Sequence, residues 1–161
     1  MKLKHRVCVE STNDWAREHV RAQGRLPMAF LADCQTKGRG TRGRVWNSPA
    51  GWTYLSIALP PAPREATELS LLVAQTVRDI VWEQYPATAD LWIKPPNDVY
   101  RGQDKIVGIL LEQMKDALIV GVGIDYPPDT LAFRVVEAIE SLYTRWLADH
   151  SSVFKEIVKY A

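Results

Sequence analysis

The segment Gln35–Gly51, QTKGRGTRGRVWNSPAG, interleaves Gly38, Gly40 and Gly43 with Lys37, Arg39, Arg42 and Arg44. Glycine lets backbone N–H groups come close to a ligand, and the cations supply charge. That combination suits a polyanion such as a nucleotide phosphate. Two further segments, KPPNDVY (Lys94–Tyr100) and KIVGILLE (Lys105–Glu112), set polar groups among apolar runs. Lys105, at the head of an apolar strand, is a natural cation to fix between two anionic reactants, although an exposed strand-end lysine reads the same. Asn97 and Asp98 follow two prolines and also read as an Asx turn between strands.

The glycines formally match GxGxxG, but Val45-Trp46-Asn47-Ser48-Pro49 follows them and cannot open a regular helix, so the dinucleotide-binding reading fails on context. A Walker loop fails as well, because no GK[ST] follows. A mobile basic surface loop would carry the same composition.

The chain of 161 residues is expected to form one domain with a proper core. Charged residues make up 24%, hydrophobic residues 47%, and the formal net charge is +1, which excludes a disordered chain, a nucleic-acid coat protein and an acidic tail. The basic residues gather around the glycine loop, the signature of a site and not of a whole-surface field. No nucleic-acid partner is expected. MKLKHRVCVESTND lacks the apolar core of a secretory signal, and no apolar run approaches the roughly 20 residues of a membrane span. Cys8 and Cys34 lack CxxC spacing and read as small buried hydrophobes of a reducing cytosol. His5, His19 and His150 form no ligand constellation, so a structural zinc site is not expected.

The elements that must position these residues follow from periodicity. Leu3–Glu10 reads as a strand, Ser11–Asp14 as a helix start with its own capping hydroxyls, and Gly24 as the helix end. Met28–Cys34 and Trp52–Leu59 read as strands, the second closed by Pro60-Pro61-Ala62-Pro63. Leu69, Leu72, Val73, Val77, Ile80 and Val81 recur at helical spacing within Thr67–Tyr85. Asp90–Lys94 is a short strand. A meander runs from Val99-Tyr100 through Lys105–Gln113 to Ala117–Ile124, before a helix over Thr130–Ala148 and a short helical tail. The fold class is α+β, with a mixed, mainly antiparallel sheet and helices packed on one of its faces.

Taken in order, STND, ADCQTKGRGTRGRVWNSPAG, IKPPNDVY, KIVGILLE and VGVGID resemble the catalytic domain of biotin–protein ligases over Ser11–Asp125. The ordered set is far more specific than any single motif. The resemblance implies an ATP-dependent biotin–[acetyl-CoA-carboxylase] ligase. Such an enzyme turns biotin and ATP into biotinyl-5'-adenylate, then passes the biotinyl group to a lysine of a biotin carboxyl carrier domain. It implies one catalytic domain over residues 1–161, a cytoplasmic location, and neither an N-terminal helix-turn-helix nor a C-terminal SH3-like barrel. A homodimer through the sheet edge is left open.

By the same resemblance Lys105 and Arg39 are catalytic. Ser11, Thr12, Asn13, Gln35, Gly38 and Arg39 would meet the biotin ring, while Lys105, Gly108, Leu110, Gly121, Gly123 and Ile124 would meet its carboxylate and apolar tail. Arg39, Gly40, Arg42, Arg44, Trp46, Lys94, Asn97, Lys105 and Asp125 would hold ATP, with Asp98 beside Mg2+. Gly108 also reads as a β-bulge, and Trp46 as a core tryptophan. Three residues depart from the family pattern. Thr41 replaces the second arginine of GRGR, Pro95 the tryptophan of KWPND, and Asp125 the asparagine ending VGIGIN. A lipoate or fatty-acid ligase, and a non-catalytic biotin-binding module, are the competing functions.

Overall fold

The structure is a computed structural model that describes residues 1–62, 67–86, 90–149, 151–153 and 155. His150, Pro63 and most of the short helical tail lie outside the described residues.

Seven strands form one sheet: β1 (Lys2–Val9), β2 (Met28–Gln35), β3 (Thr53–Leu59), β4 (Leu91–Lys94), β5 (Asp98–Arg101), β6 (Asp104–Gln113) and β7 (Leu118–Ile124). They lie side by side in the order β1-β2-β3-β7-β6-β5-β4. Helix α1 (Thr12–Arg21) links β1 to β2, and these two strands run parallel. A parallel pair needs such a crossover, whereas tight turns suffice for β4, β5, β6 and β7, which pair antiparallel. Helices α2 (Thr67–Gln84) and α3 (Leu131–Ala148) complete the described elements. The sheet is thus mixed and mainly antiparallel, as the sequence leads one to expect.

The expected placement of the helices needs one correction, because they cover both faces of the sheet. Every residue of β3 is buried, and β2 is buried from Met28 to Ala32. Strands with continuous apolar runs are buried on both sides. On one face Leu31, Leu55, Ile57, Val120 and Ile109 pack with α2 and α3, including Leu72, Val77, Val135 and Ile139. On the other face Phe30, Ala58 and Ile119 pack with Ala16 of α1, joined by Trp15 and Val20. The α1 stripe Trp15-Ala16-His19-Val20 therefore serves the second, smaller core.

Cys8 and Cys34 also differ from expectation. They are register partners across β1 and β2 and are joined by a disulfide, and Cys8 is exposed. Sequence spacing alone does not show that parallel pairing sets the two side chains next to each other.

Candidate functional site

The α1 face of the sheet carries the site, because there the neighbouring strands lose their side chains. Gly121 and Gly123 of β7 alternate with Val122 and Ile124, and Gly108 of β6 lies directly opposite Gly123. Alternate residues of a strand point to opposite faces. The three glycines leave a trough, and other side chains drop into it. A Cβ on Gly121 would collide with the Asn13 amide, and one on Gly108 would meet the Trp46 ring at 2.6 Å. A Cβ on Gly123 would meet Trp46 Nε1 at the same distance. The register at Gly108 is regular and the irregularity falls at Val99/Tyr100, so close approach by Trp46, and not a bulge, accounts for that glycine.

The start of α1 supplies the deep polar end. Ser11 caps the helix, its Oγ accepting the Asp14 N–H at 3.4 Å, so Thr12 and Asn13 begin the helix buried against the sheet. Gln35, at the end of β2, accepts at Oε1 from the Thr12 backbone N–H at 2.8 Å and from the Thr12 hydroxyl at 3.1 Å. Gln35 Nε2 donates to Ser48 Oγ at 2.9 Å. Ser56 of β3 lies 2.8 Å from Thr12 Oγ1 and 2.5 Å from Asn13 Oδ1. These polar groups hydrogen-bond to one another, and each keeps donor or acceptor capacity to spare.

The basic loop folds back over this pocket. Arg39 bridges to Val45, and Trp46 N–H donates to the Gly38 carbonyl at 2.9 Å, which closes a small hairpin. Inside it Thr41–Gly43 makes a single 3-10 turn with Arg42 at φ 58°. Gly38 is packed tightly, since a Cβ there would meet Ser48 Oγ and the Trp46 carbonyl at 2.5 Å. Arg39 reaches across the pocket to carboxylates on both sides, donating to Asp14 and, at 3.2 Å, to Glu112. Its guanidinium pKa is raised further above the ordinary value, chiefly by the Asp14 hydrogen bond and against the cost of burial. In this arrangement Arg39 is a clasp. The free cations of the loop are Arg42 and Arg44, both exposed and both outside the pocket lining.

Lys105 forms the other end. Its ammonium lies 2.6 Å from Asp98 Oδ1 and 4.9 Å from the centre of the Trp46 ring. Asp98 Oδ1, Trp46 Nε1 and Asp125 Oδ1 are buried without an aligned hydrogen bond. The Lys105–Asp98 contact is close enough for an ion pair yet too poorly aligned for a hydrogen bond. Burial pushes the Asp125 carboxyl up to about 6, against the pull of Lys105. Three under-satisfied polar groups around one cation mark a place prepared for other polar atoms.

The cleft spans about 420 Å³, part of it open to solvent. It gathers Ser11, Thr12, Asn13 and Gln35 with Arg39 and Gly40, and it joins Trp46, Asn97 and Lys105 to Gly108, Leu110, Gly121 and Gly123. Seven expected residues do not line it: Gly38, Arg42, Arg44, Lys94, Asp98, Asp125 and Ile124. Ile124 is fully buried in the core on the opposite face, because strand alternation turns it away from Gly121 and Gly123. Lys94 is exposed, its ammonium 5.6 Å from the centre of the Tyr100 ring. For a magnesium ion Asp98 supplies one carboxylate, already held by Lys105. Among the described residues no group of three or more His, Cys, Asp or Glu is placed to hold a metal. One carboxylate is too few for a preformed protein cage around a divalent ion.

The sequence reading missed Ser48, Ser56 and Glu112. A signal for Glu112 was present: with Gly108 and Leu110 it falls on one face of β6 at period two. Ser56, set between Leu55 and Ile57 in a wholly buried strand, carries the same kind of signal.

Comparison with known proteins bears on this geometry. The model of the biotin/lipoate A/B protein ligase family matches residues 6–125 of the chain. The bifunctional ligase/repressor BirA of Escherichia coli is 33% identical over 139 residues, covering 80% of this chain and 40% of the relative. A biotin–[acetyl-CoA-carboxylase] ligase of Paracoccus denitrificans is 37% identical over 102 residues, covering 59% and 42% respectively. The crystal structure of a biotin protein ligase from Leishmania major, in complex with biotinyl-5-AMP, superposes with a TM-score of 0.83 at 25% identity. That match covers 98% of this chain and 80% of the other. The chain spans about 40% of the length of the curated bacterial relatives it matches. Among the described residues no helix is long and apolar enough to cross a membrane.

Proposed function

This chain belongs to the biotin/lipoate A/B protein ligase family, and from that premise we propose that it activates biotin with ATP to biotinyl-5'-adenylate. In this reading the biotinyl group then passes to a lysine of a carboxylase's biotin carboxyl carrier domain. A cytoplasmic location goes with this ATP-consuming reaction, and there the Cys8–Cys34 disulfide would face a reducing environment.

The observation that carries the choice of biotin is the buried polar end of the cleft, where Thr12, Asn13, Gln35 and Ser56 converge. A ureido ring offers two N–H donors and a carbonyl acceptor to such a wall. The dithiolane ring of lipoate offers none, and a site built for hydrogen bonds rejects a ligand that leaves them unmade. With Trp46 drawn back from the Gly108–Gly121–Gly123 trough that it fills in this structure, the apolar tail would lie there and lead the carboxylate toward Lys105.

Activation joins two anions. The carboxylate oxygen attacks the α-phosphorus, a new O–P bond forms, and pyrophosphate leaves with the electrons of the broken P–O bond. Lys105 would stand between carboxylate and α-phosphate and offset their repulsion, leaving Asp98 as charge passes to the ligand. Magnesium, when bound, would neutralise the departing pyrophosphate, with Asp98 as its protein ligand. Arg42 and Arg44 are free to meet phosphate oxygens as the loop closes, and closure keeps water from the labile mixed anhydride. In the second step a neutral lysine amine attacks the acyl carbon, forms the amide, and AMP leaves.

The test is ATP–pyrophosphate exchange with biotin, lipoate or no acid. Exchange dependent on biotin is the expected result. Dependence on lipoate would move the chain to the other branch of the family. Biotin binding without exchange would identify a binding module.

A further inference from the structure

Glu112 stands at the pocket-facing end of β6 and has no place in the ligand set expected from the sequence. Its carboxylate collects Asn13 Nδ2 at 2.7 Å, Arg17 Nη1 at 3.0 Å and Arg39 Nη2 at 3.2 Å. An ionised carboxylate only accepts hydrogen bonds. Asn13 must therefore turn its NH2 toward Glu112, and this turns its Oδ1 toward Ser56. The Ser56 hydroxyl has one proton, and Asn13 Oδ1, at 2.5 Å, can only accept it. The Thr12 hydroxyl, 2.8 Å from the Ser56 oxygen and 3.1 Å from Gln35 Oε1, has a single proton that serves one of them at a time. Gln35 Oε1 already takes the Thr12 backbone N–H, so Gln35 presents Nε2 to Ser48, whose hydroxyl donates to the Trp46 carbonyl at 3.0 Å.

The relay thus runs between two groups that can only accept, the Glu112 carboxylate and the Trp46 carbonyl. Glu112 sets Asn13 and, through it, Ser56; Gln35 and Ser48 are set from the other side by the Thr12 backbone N–H and the Trp46 carbonyl, and the two runs meet at the Thr12 hydroxyl. Such networks act as units, and reversing one member leaves a buried donor facing a donor. The two guanidiniums on Glu112 balance its charge, and one of them, Arg39, is thereby held across the mouth of the pocket.

We propose that Glu112 is a positioning residue that sets the hydrogen-bond direction of the urea-reading side chains through Asn13 and Ser56. This rests on the biotin reading above. Glu112 acts on the ligand only through the atoms that Asn13 and Ser56 present to it.

The experiment compares biotin with 2-iminobiotin, whose guanidine carries N–H where biotin carries the carbonyl oxygen. Binding of each is measured calorimetrically for the parent, Glu112→Gln, Glu112→Asp and Ser56→Ala, with melting temperature as the check on folding. The parent should prefer biotin. Glu112→Gln can donate as well as accept, so the preference should narrow by about tenfold or more. Ser56→Ala breaks the relay without touching either arginine and should narrow it likewise. Glu112→Asp keeps the charge and should restore most of it. A purely structural ion pair would lower the melting temperature and weaken both ligands equally. If biotin binds the parent and its preference over 2-iminobiotin survives in folded Glu112→Gln and Ser56→Ala, the proposal is overturned. A parent that binds no biotin overturns the biotin reading, and this inference with it.

Discussion

The Lys105 ammonium rests 2.6 Å from Asp98 Oδ1, across the register of β5 and β6. The pair keeps a cation poised at the end of the glycine trough while its countercharge stays half-buried behind it. A carboxylate and a triphosphate entering there would exchange one anionic partner for two. The ion pair holds the lysine in place before the ligands arrive.

Lys105→Ala should therefore reduce biotinyl-adenylate formation by roughly 10²–10³, the usual effect of removing one preorganised charge. The side chain is partly exposed and its contacts are the Trp46 ring and Asp98, so the melting temperature should fall by only a few degrees. Pyrophosphate exchange on the folded variant measures the effect. Activity equal to that of the parent would remove Lys105 from the chemistry.

Thr41 lines the cleft beside Gly40, at the start of the 3-10 turn. With Arg39 clasped by Asp14 and Glu112, this wall of the cleft presents little free positive charge. Thr41→Arg should add a cation for the adenylate phosphate and slow release of the intermediate. The readout is diffuse labelling of bystander lysines, expected to drop in the variant. Unchanged labelling would mean that Arg42 or Arg44 already serves that purpose.

The Asp125 carboxyl is pushed up to about 6 because burial opposes its charge more strongly than Lys105 favours it. A carboxyl whose folded value lies above its ordinary one contributes stability below that ordinary value, and loses it as pH rises through about 6. Asp125→Asn should remove that part of the pH dependence, so its melting temperature should gain on the parent between pH 4.5 and 7.5. It should also bind ATP more tightly than the parent at pH 8, with a smaller difference at pH 5. Parallel pH profiles for the two proteins would refute the assignment.

The Cys8–Cys34 disulfide ties the edge strand β1 to β2 just before both chains enter the pocket, at Ser11 and Gln35. Replacing both cysteines by serine should lower the unfolding free energy by about 2–4 kcal/mol, the usual scale for such a closure. Urea denaturation in the absence of reductant checks it. Dithiothreitol should lower the parent by a similar amount and leave the double variant unchanged; an unaffected parent would show that the link contributes nothing.

Local pattern made much of this protein legible. The period-two runs, the α2 repeat from Leu69 to Val81 and the Ser11 cap are near-neighbour effects, and each appears within a residue or two of its expected bounds. The basic loop, Lys105 and the glycines could be named because they stand in motifs. What those residues touch could not be read this way. Period two places Ile124 opposite Gly123, so a motif that runs through both does not put both in one pocket. Arg39 reads as a phosphate ligand until α1 and β6 bring Asp14 and Glu112 to it from far along the chain.

The sequence by itself determined the elements, the family pattern and the types of group available, since propensity, capping and alternation act between residues close in the chain. Only the tertiary structure decided which face α1 covers, that Cys8 meets Cys34, and that Glu112, Asn13 and Ser56 form one relay. Those facts depend on strand order and register, which arise when the two apolar faces of the sheet are buried together.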